Sequence, residues 1–215
     1  MRQRRDMGER SPACPDFARR SVVLLAASAL MAARDALADC PGAEAFIESA
    51  GQRTVAILNS TGSDEPRRLQ EMADLMFEVA DLSLIARLVL GRHWRNATEA
   101  QRAAYLDAFR KYALDSLASR FARLGGGVSF KLLGHCVAED HDAQVGTEVK
   151  LPSRPEPVRI DWRTREADGE YRLVDVAIEG VSLVVSNRSE FDSVVSREGL
   201  DALIAQIQGK SKPRG

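Results

Sequence analysis

Three histidines, three cysteines and a pair of aspartates are the residues whose types could do chemistry in this chain. His135, Cys136 and His141 stand close enough to be drawn as metal ligands, since imidazole and thiolate are the usual zinc donors. His135 and Cys136 are consecutive on a segment that reads as a strand, so they face opposite sides of it and do not converge on one ion. His93 lies in an Arg92-His93-Trp94-Arg95 corner and suits a surface or corner position better than a general base. Asp161 and Asp175 fall on neighbouring predicted strands and could work as an acid–base pair. Arg159, Arg163 and Arg172 lie near them, which makes exposed cross-strand ion pairs the simpler expectation. The chain has no Gly-x-Ser-x-Gly, Walker loop, Cys-x-x-Cys or His-Glu-x-x-His, so the usual motifs of nucleophilic, phosphate and metal chemistry are missing. Gly125-Gly126-Gly127 follows a predicted helix and precedes a predicted strand. That order is the reverse of a phosphate cradle and marks a helix cap and hinge. No nucleophile–base–orienter set emerges; the expectation is a protein that is not an enzyme and needs no metal or cofactor.

Composition narrows the class further. Thirty basic and 31 acidic side chains nearly cancel, and no basic stripe appears, so nucleic acid is not an expected partner. Arg2, Arg4, Arg5, Arg10, Arg19 and Arg20 precede an uncharged apolar run, 21–33, of signal-peptide length. Ala36-Leu37-Ala38 supplies a small-x-small cleavage pattern, which predicts a leader at residues 1–38. Arg19-Arg20 leaves both general secretory and twin-arginine export open. Asp39 is too large for the position before a lipidated cysteine, so the expected product is a soluble exported protein. Cys14 leaves with the leader. Cys40 and Cys136 then meet an oxidising compartment, where one disulfide is open to them if geometry allows.

Two periodicities organise the rest. Phe46, Ile47, Ala50, Thr54, Ile57 and Leu58 form an amphipathic stripe behind Pro41-Gly42, and Leu69, Met72, Ala73, Met76 and Phe77 form a second. Leu82–Leu90 reads as a short apolar helix capped by Asp81 or Ser83 and stopped by Gly91. A long helix then runs from about Glu99 to Arg123, with Thr98 and Gln101 at capping-box spacing. Tyr105, Phe109, Tyr112, Leu117, Phe121 and Leu124 make an aromatic-rich stripe on it, which is either core or the wall of an apolar cavity. From Val128 the period becomes two, in four runs ending near Ile178, separated by turn clusters such as Ala167-Asp168-Gly169. This predicts a four-stranded, mostly antiparallel twisted sheet with one apolar face to cover. Two short helices, 188–195 and 200–207, follow. The fold class is α+β, with a single domain at 39–209 and a frayed tail at 210–215.

Several ordered segments then resemble one family. Asp81-Leu-Ser-Leu-Ile-Ala-Arg-Leu-Val-Leu-Gly-Arg-His-Trp-Arg95, Ala97-Thr-Glu-Ala-Gln-Arg102 and Ala108-Phe-Arg110 look like MlaC, the periplasmic phospholipid-binding component of the Mla lipid-transport system. Val158-Arg-Ile-Asp-Trp-Arg163, Tyr171-Arg-Leu-Val-Asp-Val-Ala-Ile-Glu-Gly-Val-Ser182, Arg188-Ser-Glu-Phe191 and Gly199-Leu-Asp-Ala-Leu-Ile204 continue the likeness. Cys40, Cys136 and the short loop 152–157 depart from the family pattern, which leaves a hopanoid-associated branch open. The resemblance implies an NTF2-like cup with an apolar lipid pocket between helices and sheet. It also implies a monomeric periplasmic shuttle between an outer-membrane lipoprotein–porin complex and an inner-membrane ABC transporter of the mammalian-cell-entry (MCE) type. A secreted NTF2-like enzyme acting on a small apolar substrate is the alternative, and a buried His–carboxylate pair inside the cup would favour it.

On this reading the residues expected around the lipid tails are Leu90, Phe109, Tyr112, Leu117, Phe121, Val149, Ile160, Trp162, Val174, Val176, Ile178 and Val181. Arg92 and Arg95 are candidates for the mouth or a partner surface. The headgroup phosphate is expected to stay in water, with permissive headgroup choice.

Overall fold

The computed structural model describes residues 40–60, 65–121 and 126–210. The expected leader, residues 61–64, the expected helix end at Arg123, Leu124, Gly125 and the tail beyond Lys210 lie outside them, as does the side chain of Phe121.

Strand-forming alternation in the second half produces an antiparallel meander. Strands β1 (Ser129–Glu139), β2 (Asp142–Lys150), β3 (Val158–Ala167) and β4 (Glu170–Ile178) pair in chain order. A two-residue β5 (Val181–Ser182) adds a fifth strand where four were expected. Asp168 and Gly169 both take positive φ (54° and 79°), as do Glu179 and Gly180 (50° and 79°); this is the backbone sense that a tight hairpin turn requires. The register places Val145, Thr147 and Val149 opposite Trp162, Ile160 and Val158, on one face. Asp142, Glu148, Arg159, Asp161, Arg163 and Arg165 therefore share the other face, where Arg165 and Arg163 pair with Asp142 at 2.6 and 3.5 Å. The Arg165 hydrogen bond holds the Asp142 carboxyl below its ordinary range against the cost of partial burial.

The first half is helical. Helix α1 (Pro41–Asn59) begins with proline in its first turn, where the missing N–H costs nothing. Helix α2 (Glu65–Val79) follows, then α3 (Leu82–Leu90), whose first turn is capped by Asp81 accepting from the Leu84 N–H at 2.8 Å. A five-residue α4 (Arg92–Asn96) forms within the segment read from sequence as a corner. The capping box of α5 (Glu99–Phe121) is made: the Gln101 N–H donates to Thr98 Oγ1 at 3.2 Å and the Thr98 N–H to Gln101 Oε1 at 3.1 Å. Helices α6 (Leu183–Glu198) and α7 (Leu200–Lys210) close the chain. Helix α6 starts five residues earlier than its periodicity suggests because Asp175 and Ser182 cap it. Asp175 accepts from the Val184 N–H at 3.0 Å and from the Ser182 hydroxyl, so it anchors a helix rather than pairing with an arginine as expected.

The apolar interior falls into separate clusters. Helices α3, α5, α6 and α7 enclose Val89, Leu90, Tyr105, Phe109, Phe191, Leu203 and Ile207. Against the apolar sheet face there are two others. One joins Cys40, Ala43 and Ile47 of α1 to Cys136 and Val145 of the sheet; the second joins Leu58, Met72 and Leu75 to Val128. Cys40 and Cys136 form a disulfide, with Cα atoms 6.0 Å apart, tying the start of α1 to β1.

Candidate functional site

The gap between the two sheet-side clusters is a cavity of about 230 Å3. Helix α1 forms its roof with Phe46, Ile47, Ala50, Gly51, Thr54, Val55 and Leu58, and Val79 from the end of α2 closes one side. Its floor is sheet: Val128 and Phe130 from β1 and the residue before it, Val149 and Leu151 from the β2 end, Ile160 and Trp162 from β3, and Leu173 from β4.

Why is there space here? The middle of the α1 stripe carries Ala50, Gly51 and Thr54, three small side chains where a packed helix would carry bulk. Gly51 has a further role: a Cβ there would come within 2.5 Å of the Phe130 ring, so only glycine lets that ring lie against the helix. On the floor, strand pleat sends every second residue into the cavity.

The lining is chemically silent. None of its side chains titrates. Its polar atoms are already satisfied: Trp162 Nε1 donates to Thr147 Oγ1 at 2.8 Å, the Thr147 hydroxyl donates to the Ile160 carbonyl at 3.0 Å, and the Thr54 hydroxyl donates to the Ala50 carbonyl at 2.8 Å. With no side-chain donor left to offer, the cavity recognises apolar matter by exclusion of water rather than by directed bonds. Among the described residues no cluster of three potential metal ligands occurs.

Of the expected site residues, Val149, Ile160 and Trp162 line this cavity. The others do not. Leu90, Phe109 and Tyr112 belong to the helical cluster, where Phe109 and Tyr112 meet Phe191 at centroid distances of 6.4 and 5.6 Å in edge-on geometry. Leu117 packs against the Leu58–Met72 cluster beside the cavity without reaching it. Val174 is fully buried but is the extra residue of a β-bulge, because Arg163 faces Asp175 while Thr164 faces Leu173. The bulge shifts the pleat by one, so Leu173 takes the inward position that simple alternation assigns to Val174. Val176 and Ile178 share the cavity-side register with Trp162 and Ile160 yet stand outside the lining, and Val181 on β5 is 59% exposed.

The corner residues also lie away from the cavity. His93 Nε2 is 2.7 Å from Asp192 Oδ1, and Arg92 pairs with the same carboxylate at 2.9 Å. This His–carboxylate pair joins α4 to α6 in the helical half, so it lends nothing to an enzyme working inside the cup. The guanidinium groups of Arg87 and Arg102 lie over the Trp94 ring, 5.7 and 5.3 Å from its centre. The Arg95 carbonyl accepts from Arg102 in the same knot.

Two comparisons place the chain among known proteins. The family model described as MlaC protein matches residues 48–209. Among solved structures, the phospholipid-binding protein from Ralstonia solanacearum, determined in complex with a phospholipid, shares the fold with a TM-score of 0.68 at 22% sequence identity. The match covers 79% of this chain and 96% of that one.

Proposed function

The chain belongs to the MlaC family, and on that premise we propose that it is a periplasmic carrier that shields phospholipid acyl chains from water during transfer between the two membranes of the envelope. It takes no catalytic part; its partners are the outer-membrane lipoprotein–porin complex and the inner-membrane MCE-type ABC transporter, and it reaches them as an exported monomer once its leader is removed.

The observation that carries this reading is the cavity, apolar on every wall and with its own polar atoms satisfied internally. Each methylene moved from water to an apolar site gains about 0.8 kcal/mol. A two-chain lipid has on the order of thirty, so leaving a membrane bare costs roughly 20 kcal/mol or more, and only an enclosed apolar site offsets that. The phospholipid in the Ralstonia solanacearum structure supports the same occupant here. At about 230 Å3 the cavity lies just under the ~300–1,000 Å3 usual for small-molecule pockets. Loading two tails therefore widens it, with α1 and the sheet moving apart.

The test is native mass spectrometry of the protein purified without detergent. A population heavier by the mass of one phospholipid is expected. A clean lipid-free mass from cells whose membranes are intact, with no uptake from added vesicles, would sink the carrier reading.

A further inference from the structure

A polar groove of about 300 Å3 adjoins the apolar cavity, and Phe46, Ala50 and Val79 line both. Its remaining wall includes Arg53 of α1, Glu78 of α2, and Glu170 and Arg172 of β4. Arg53 grips Glu78 with both guanidinium nitrogens, Nη1 to Oε1 at 2.5 Å and Nη2 to Oε2 at 2.6 Å. Arg172 donates to the Glu78 backbone carbonyl and, through Nη2, to Glu170 Oε2 at 2.9 Å. Two guanidinium groups and the carboxylates of Glu78 and Glu170 thus converge beside an apolar chamber, and Glu78 is the carboxylate that Arg53 holds with both nitrogens.

The bidentate fork that arginine presents to a carboxylate matches phosphate equally well. We propose that this groove is the subsite for the phosphodiester of the bound lipid, and that Glu78 occupies the place the phosphate takes when the tails fill the cavity. The proposal rests on the carrier reading, because only tails held next door bring a phosphate to this rim. The Arg53–Glu78 pair is half exposed on both sides, at 47% and 58%, so exchanging its carboxylate for another anion costs little. The positive field is already felt there: hydrogen bonding to Arg53 depresses the Glu78 pKa, and the charge of Arg172 adds to it. Tail length and phosphate position then act together. The chains supply affinity, and the two arginines fix which end faces out. Selection falls on the phosphate common to all phospholipids and not on the alcohol beyond it, so the headgroup alcohol stays in water while its phosphate does not.

The experiment offers the purified protein vesicles containing phosphatidylglycerol and diacylglycerol with identical chains in equal amounts, then extracts and weighs the lipid it carries away. Wild type is expected to enrich phosphatidylglycerol about two- to fivefold, as a half-exposed ion pair of this kind provides. Arg53→Gln with Arg172→Gln is expected to bring the ratio near one. Glu78→Gln is expected to raise the ratio. Inorganic phosphate, with chloride-matched buffer as control, is expected to leave the ratio unchanged; a collapse of the ratio would make this a site for the free anion and overturn the headgroup assignment. Equal uptake of both lipids by wild type, or an unchanged ratio in the arginine double variant, overturns the subsite but leaves the carrier standing. Failure to take up either lipid removes both.

Discussion

In the helical half, Tyr105, Phe109, Tyr112 and Phe191 stack their rings edge to face, and Tyr105 is fully buried with its hydroxyl donating to the Ala86 carbonyl at 3.0 Å. Between α1 and the sheet, the facing positions are Ala50, Gly51 and Thr54 above Ile160 and Trp162. Both regions are apolar, and both are built from amphipathic helices of ordinary spacing. One is solid because large side chains interlock; the other is hollow because small ones face a curved, pleated floor. Binding capacity here is a matter of side-chain volume at a few positions, not of hydrophobicity.

The sharpest way to break that comparison is to delete the same ring from each region. Phe191→Ala, in the solid half, is expected to cost about 3–5 kcal/mol, since the packed surroundings collapse only partly into the space left. Phe46→Ala, whose ring is half-buried and borders the cavity, is expected to cost less than about 2 kcal/mol, close to its transfer term alone. Urea unfolding of lipid-free protein measures both. Equal losses would mean that the cavity is as well packed as the helical half, and the contrast would fail.

Next in size is the disulfide, which belongs to the hollow side. Cys40 and Cys136 are 96 residues apart, a long loop for which chain-entropy arguments give roughly 2–5 kcal/mol. Replacing both by serine is expected to lower stability by that amount and to loosen the α1–β1 end of the cavity first, seen as faster amide exchange at Ala43 and Ile47 than at Leu203 and Ile207. Uniform loosening of both halves would contradict the division between them.

Filling the void tests it from the opposite direction. Ala50→Phe is expected to cut the lipid carried by more than half while leaving lipid-free stability within about 1 kcal/mol of wild type, because the ring enters existing space. The same enlargement at Ala108, fully buried in the helical cluster, is expected to destabilise by about 1–3 kcal/mol with no direct effect on lipid.

The smallest effect lies on the far face of the sheet. Arg165 holds the Asp142 carboxyl below its ordinary range, so its contribution is present above the unfolded carboxylate pKa and is lost as pH falls through the lower folded value. Asp142→Asn is expected to cost about 1 kcal/mol near neutrality and to flatten that acid dependence, with lipid uptake unchanged. A change in uptake would show that the two faces of the sheet are coupled.

Much of this molecule is legible in its residues. Asp81 and the Thr98–Gln101 pair announce helix starts, Asp168-Gly169 announces a hairpin, and the change from helical to alternating spacing near Val128 divides helices from sheet. Helix α4 and strand β5 escape such reading because five and two residues are too few to carry a period. The site is harder. Large aromatic side chains at regular steps on α5 attract attention, and those are the ones that fill space. The cavity is marked by Ala50, Gly51 and Thr54 in the middle of an otherwise bulky stripe, a signal of missing volume that periodicity does not register. Nor does alternation foresee the bulge that turns Leu173 inward in place of Val174.

Helix α1 is secured differently at its two ends. Its first turn is welded to β1 through Cys40, while its last residue is only buttoned down: Asn59 Nδ2 donates to the Val128 carbonyl at 2.8 Å, and Asn59 Oδ1 accepts from the Gly127 and Val128 N–H groups at 2.7 and 3.0 Å. A covalent bond outlasts hydrogen bonds under load, so a roof pushed up from below would pivot at Cys40 and tilt from the Asn59 end, and the chamber would swell as a wedge, widest farthest from the covalent tether.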